Sequence, residues 1–122
     1  MKLSLELPAH THVIRAYVPG EVRVGDGVYH ASLIVTATSL IEGWRPTSMA
    51  DLQGTDLEPI LALKPDVLLL GSGARQQFPD RATFASLYAA RIGFEIMDTG
   101  AACRTYNVLV AEGRAVAAAL II

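Results

Sequence analysis

Asp98, Cys103 and Arg104 form the closest approach to a reactive group in this chain. A thiol in the first turn of a helix and beside a guanidinium is biased toward thiolate, because the helix end and the cation both favour negative charge. A nucleophile also needs a base, and His10, His12 and His30 are all remote in sequence. Free cysteine more commonly packs as a small buried hydrophobe. A carboxylate beside Arg104 could be a tuned acid or base, yet Asp98 and Thr99 also have the chemistry of helix caps, which accounts for both without catalysis.

Gly71-Ser72-Gly73 follows the apolar run Asp66-Val67-Leu68-Leu69-Leu70 and has the opening of a dinucleotide-binding turn, with Glu95 or Asp98 where a ribose-binding acid belongs. The pattern then fails, because Gln76 occupies the third glycine position and Pro79 delays the helix that should hold the pyrophosphate. A tight turn passing close to a neighbouring backbone is the plainer explanation. Arg75 and Arg81 flank Phe78, so this loop offers planar cations and an aromatic face to a carboxylate or a protein, unless the arginines are merely solvated. Aromatic and arginine content on a loop favours a contact surface over catalysis.

His10 and His12 share one face of an extended strand but lack a nearby third ligand, so they make a poor metal site and are expected at the surface. Trp44, in Glu42-Gly43-Trp44-Arg45-Pro46, could anchor a contact; packing over the sheet is the expected role.

Both polar clusters sit just beyond apolar runs, so the elements must bring them together. His12–Val18 alternates, Pro19-Gly20 turns it into Glu21–Val24, and Gly25-Asp26-Gly27 turns it again into Val28–His30: a small antiparallel layer. Ser32–Ala37 is continuous and β-branched, which predicts a strand buried on both faces. Residues 42–55 read as a loop with one helical turn after Ser48. Leu57, Ile60 and Leu61 then mark a helix, started either by the Thr55-x-x-Glu58 pattern or with Pro59 in its first turn, and ended by Lys64-Pro65.

Strand 66–70 follows. Asp80 caps a helix carrying Phe84, Leu87, Tyr88 and Arg91 on one face, closed by Ile92-Gly93. Strand 94–97 leads to a last helix whose predicted inward stripe is Ala101, Ala102, Thr105, Val108 and Leu109, stopped by Glu112-Gly113. The apolar tail Ala115–Ile122 is far short of the ~20 residues that span a bilayer and reads as a covered strand. The order is β layer, strand, then helix and strand repeated, which is α/β architecture.

At 122 residues, the chain suits one domain. An apolar fraction of 52% supplies a core, and a net charge of −2 removes the electrostatic footprint of nucleic-acid or anionic-membrane binding. One cysteine forms no internal disulfide, and Met1–Pro8, interrupted by Glu6 and Pro8, lacks a leader-like apolar run; both point to the cytoplasm.

Met97-Asp98-Thr99-Gly100-Ala101-Ala102-Cys103-Arg104-Thr105-Tyr106-Asn107-Val108-Leu109, Glu112–Ala117, Leu69–Gly73 and Gln76-Gln77-Phe78-Pro79 together resemble a family of small domains of unknown function. That family includes bacterial hypothetical proteins, an adipogenesis-associated vertebrate protein and mitochondrial complex I assembly factor 3. The resemblance runs from about residue 12 to the end. It implies a three-layer α/β domain, with a mixed central sheet flanked by helices and a small antiparallel β layer. It also implies an assembly role through protein contacts, and it brings no established catalytic residues.

The expected binding rim is therefore Gly71, Ser72, Gly73, Arg75, Phe78, Asp98, Thr99, Cys103, Arg104 and Tyr106, with Arg75, Phe78, Arg104 and Tyr106 as its contacts. No catalytic residue, metal or cofactor is assigned. The expected partner is another protein, with no nucleic acid and no membrane insertion, and the oligomeric state is left open. The competing reading is a small-molecule-binding or enzymatic domain that uses the same Gly71–Pro79 and Asp98–Asn107 loops.

Overall fold

The computed structural model describes residues 10–122. Met1–Pro8, read above for its lack of a leader, lies outside the described residues. Three strands, β1 (Ile14–Val18), β2 (Glu21–Val24) and β3 (Gly27–Tyr29), form an antiparallel sheet in that order. A second sheet has β4 (Leu33–Val35), β5 (Leu40–Glu42), β6 (Val67–Gly71), β7 (Gly93–Met97) and β8 (Val116–Leu120) in the order β5-β4-β8-β6-β7. It is mixed: β8, β6 and β7 run parallel, while β4 is antiparallel to both β8 and β5. This is the α/β class expected, with its small antiparallel layer.

The helices divide between the two faces of the mixed sheet. α1 (Glu58–Leu63) and α2 (Ala85–Ala89), each preceded by a 3₁₀ turn, cover a face built from Ile34, Leu68, Leu70, Ala117 and Ala119. α3 (Thr99–Ala111) and the small sheet cover the other, where Leu33, Val35, Leu69, Ala118 and Leu120 point. The period-2 alternation of each strand explains the division, since neighbouring residues of a strand serve opposite cores. The tail does form a strand, β8, buried along its whole length at the centre of the sheet.

Several local signals act where expected. Ser48 caps a 3₁₀ turn by accepting from Asp51 N–H, Asp80 caps the turn leading into α2, and Asp98 caps α3 by accepting from Ala101 N–H at 2.9 Å. α1 begins at Glu58 with Pro59 inside its first turn, where a missing N–H costs nothing. Trp44 is buried and donates from Nε1 to the Asp56 carbonyl at 2.8 Å.

Other expectations need correction. The run 32–37 is strand only over Leu33–Val35, because Thr36 turns the chain: its N–H donates to the Ser39 carbonyl and its hydroxyl accepts from Ser39 N–H. That turn leads into β5, which the sequence did not show. His12 is not a surface residue; it is partly buried, with Nδ1 3.0 Å from the Thr36 carbonyl oxygen and 3.1 Å from that of Ser39. Tyr88 lies outside, 57% exposed, and Arg91 follows the end of α2 in a left-handed conformation. The inward face of α3 is Thr99, Ala102, Cys103, Tyr106 and Val110, and Val108 is 58% exposed. The expected stripe followed apolarity alone, whereas polar groups with dedicated partners set the phase: the Tyr106 hydroxyl donates to the His12 carbonyl at 2.8 Å, and Asn107 exchanges two hydrogen bonds with the Ile14 backbone.

Candidate functional site

β6 and β7 are adjacent and in register, Gly71 opposite Met97, so the segments starting at Gly71 and Asp98 leave the sheet side by side. The chain goes on from β6 to α2 on one face and from β7 to α3 on the other. Such a divergence at the carboxyl ends of parallel strands opens a crevice in doubly wound sheets.

Here the crevice is stitched shut. Ser72 N–H donates to the Met97 carbonyl at 2.8 Å, and Thr99 N–H donates to that of Gly73 at 2.8 Å. The Thr99 hydroxyl accepts from Gly73 N–H at 2.8 Å and donates to the Ile121 carbonyl at 2.6 Å, while Ile121 N–H donates to Gly71 at 3.0 Å. One hydroxyl thus ties the ends of β6, β7 and β8 together. Gly71 is required by this closeness, since a Cβ there would stand 2.8 Å from Thr99 Oγ1 and 3.1 Å from Thr99 Cα. Gly73 adopts φ +99°, a region open to glycine. Ser72 turns its hydroxyl back on the loop, 2.6 Å from the Arg75 carbonyl oxygen, and accepts from Gln77 N–H at 3.2 Å. The N–H groups of Ser72 and Gly73, which a phosphate-binding turn would present, are both taken.

Gly71, Ser72, Gly73 and Thr99 therefore form a buried knot, and they offer no contact surface. Cys103 is buried among Ala102, Tyr106, Leu69 and Ala118, with its thiol pushed up to about 12, chiefly by burial. Arg104 pulls the other way and Asp98 adds to the rise. At neutral pH the sulfur is a protonated hydrophobe, and since α3 starts at Thr99, Cys103 is its fifth residue and stands beyond the first turn whose end would favour a thiolate. Tyr106 is fully buried and cannot be a rim contact; burial likewise raises its hydroxyl.

What stays accessible lies on two flanks, on opposite faces of the sheet's end. On the α2 side, Phe78 is 68% exposed, Arg75 in the same loop is exposed as well, and residues 76–79 border a hollow shared with Met49 and Ala50. On the α3 side, Arg104 leans back over Gly100, its Nη1 within 3.4 Å of where a Cβ would stand, with Asp98 Oδ1 at 3.3 Å and the Tyr17 ring at 3.6 Å from the same point. Tyr17, Gly100 and Arg104, together with Arg15, Cys103 and Asn107, line a hollow of about 230 Å³ between β1 and α3. The Tyr17 hydroxyl, shielded and without a partner among the described residues, has its pKa raised by burial first and then by Cys103 and Asp98. No group of metal-binding side chains occurs among the described residues.

Sequence reasoning missed one cluster. Arg45 grips Asp56 with two bonds, Nε to Oδ1 at 2.8 Å and Nη2 to Oδ2 at 2.6 Å, and reaches Asp51 Oδ1 from Nη1 at 3.0 Å. Asp56 also accepts from Gln53 N–H at 2.8 Å, and its carboxyl is held below the usual range, mainly by Arg45. The cluster locks the Trp44 loop to the start of α1, so its role is structural. A Trp-Arg pair between Gly43 and Pro46 was the available signal; its acidic partners follow no period.

The family described as "Protein of unknown function (DUF498/DUF598)" matches residues 14–121. A 13 kDa major membrane protein of Francisella tularensis is 31% identical over 88% of this chain and 88% of its own length. An NADH dehydrogenase [ubiquinone] 1 alpha subcomplex assembly factor 3 from Danio rerio is 32% identical over 89% of this chain, which spans 63% of that protein. The solution structure of a Xanthomonas campestris protein superposes with a TM-score of 0.84 at 41% identity, covering all of this chain and 92% of that one. Among the described residues, no helix is long and apolar enough to cross a membrane.

Proposed function

Since the chain belongs to the DUF498/DUF598 family of proteins of unknown function, some of whose members are named as complex I assembly factors, we propose that it is a non-enzymatic protein-interaction or assembly domain. The observation that carries this reading is Phe78, a large aromatic left 68% exposed in the loop that follows β6, with exposed Arg75 and Arg81 on either side of it in sequence. Aromatic and arginine side chains dominate binding energy at protein interfaces. Arg104 supplies a second contact on the other flank. The buried thiol and the closed crevice argue against the competing enzymatic reading.

The relatives' names make NADH dehydrogenase the complex to test first. Affinity capture from the source organism should recover a stoichiometric partner, and Phe78→Ala with Arg75→Ala should weaken its binding roughly tenfold or more while the circular dichroism spectrum is unchanged. Equal recovery by wild type and variant, or none by either, sinks the proposal. The same reading places the chain in the cytosol and has a partner hold it to any membrane. Retention in membranes through an alkaline carbonate wash would contradict that placement.

A further inference from the structure

The Phe78 flank borders a strand edge that nothing among the described residues pairs. β7 is the last strand of the mixed sheet, bonded only to β6. The Met97 carbonyl accepts from Ser72 N–H, so it points toward β6. By the alternation of a parallel ladder, Gly93, Glu95 and Met97 aim their backbone groups inward, and Phe94 and Ile96 aim theirs outward. Gln76 confirms this parity: its Nε2 donates to the Ile96 carbonyl at 3.1 Å, where the N–H of another strand would stand. An exposed side chain thus does part of a missing strand's work, leaving the Phe94 N–H and C=O and the Ile96 N–H facing outward.

The two faces beside this edge differ. Toward α2, the Phe94 ring meets Phe84 at 4.7 Å and Tyr88 at 5.3 Å, and exposed Tyr88 carries the apolar shelf outward. Toward α3, the neighbouring residue is exposed Glu95. A second copy suits this edge poorly: the antiparallel register that pairs all five residues of two β7 strands sets Glu95 directly opposite Glu95, and like charges so placed destabilise the pair.

We propose that the β7 edge accepts an extended segment of another protein as a sixth strand, read as apolar–Lys/Arg–apolar. The two apolar residues cover Phe94 and Tyr88, the basic residue faces Glu95, and a backbone N–H of the segment displaces the Gln76 amide from the Ile96 carbonyl. The proposal rests on the reading of this end of the molecule as a protein-contact surface and names how that contact is made. Its test needs no natural partner, so its failure leaves the Phe78-dependent capture experiment standing.

The probe is acetyl-Thr-Val-Lys-Val-Thr-amide, whose side-chain order is the same in either strand direction, titrated to millimolar concentration into ¹⁵N-labelled protein. Shifts should centre on the Phe94 and Ile96 amides, and binding should be roughly fivefold tighter than that of the same peptide with Glu at its centre. Glu95→Lys, a change at an exposed position, should reverse the preference while the rest of the spectrum stays in place. No shift at these amides, or a response indifferent to the central residue, overturns the proposal. Free protein sedimenting as a dimer with those amides already protected from exchange overturns it in favour of a second copy.

Discussion

Thr99 shows at the scale of one residue why types and spacings alone do not say which side chains the fold leaves open. In sequence it is a helix cap or a polar site residue; in the fold its hydroxyl uses both donor and acceptor capacity, on Ile121 and on Gly73, at a position with no solvent exposure. Thr99→Val keeps shape and removes that hydroxyl, leaving a buried N–H and a buried carbonyl without it. The cost should be about 1–3 kcal/mol, measured by urea unfolding, with the loss of hydrogen-exchange protection centred on Gly73. An unchanged midpoint would mean that the knot is not what holds the three strand ends. The same principle separates Cys103 and Tyr106 from Arg75 and Phe78. All four looked chemically capable, and only burial, which depends on what crosses above them, decides which can meet a partner.

Among elements, the signals that were legible are those fixed by near neighbours: Asp98 and Asp80 as caps, a helical turn after Ser48, Pro59 in a first turn, and the continuous apolar runs of β6 and β8. Those that were not legible depend on partners far along the chain. The phase of α3 is set by the His12 and Ile14 backbone, and β5 exists because it lies against β4. The Arg45 cluster belongs to the same class, since it joins residues from a loop and two 3₁₀ turns. Its sign with pH can be stated. The Asp51 and Asp56 carboxyls are lowered in the fold, mainly by Arg45, so their stabilisation is complete above the unfolded carboxylate range and is lost as pH falls through the lowered values. Urea midpoints should hold from neutral pH to mildly acid conditions and drop below about pH 4. Asp56→Asn should cost about 1–2 kcal/mol at neutral pH, since half-exposed Arg45 tempers the pair, and should flatten the acid limb. An acid limb of equal steepness in both proteins would assign acid sensitivity to other carboxylates.

For the molecule as a whole, the three layers meet at β8, and the small side chains there set how closely they approach. Ala117 and Ala119 face α1 and α2, whereas Ala118 faces α3, set in register between Val35 and Leu69 and in one cluster with Ala102, Cys103 and Tyr106. A buried strand was legible from the apolar tail, but its central place was not, because the crossover from β7 through α3 carries the chain past β6 before β8 inserts. That insertion is why alanine suits the position: β8 is paired on both edges and covered on both faces, so it cannot shift to admit volume. Ala118→Leu should therefore destabilise by about 1–3 kcal/mol, a fall in Tm of roughly 4–12 °C, as overpacking forces α3 away from the sheet. Val108→Leu, on the exposed face of the same helix, should stay within about 0.5 kcal/mol of wild type. If α3 does lift, the strain should reach the Thr99 knot at its first turn, and amide exchange at Gly73 and Ile121 should quicken in Ala118→Leu but not in Val108→Leu. A destabilised variant with those two amides as protected as in wild type would show that the layers take up volume locally and that the strand ends are held independently of α3.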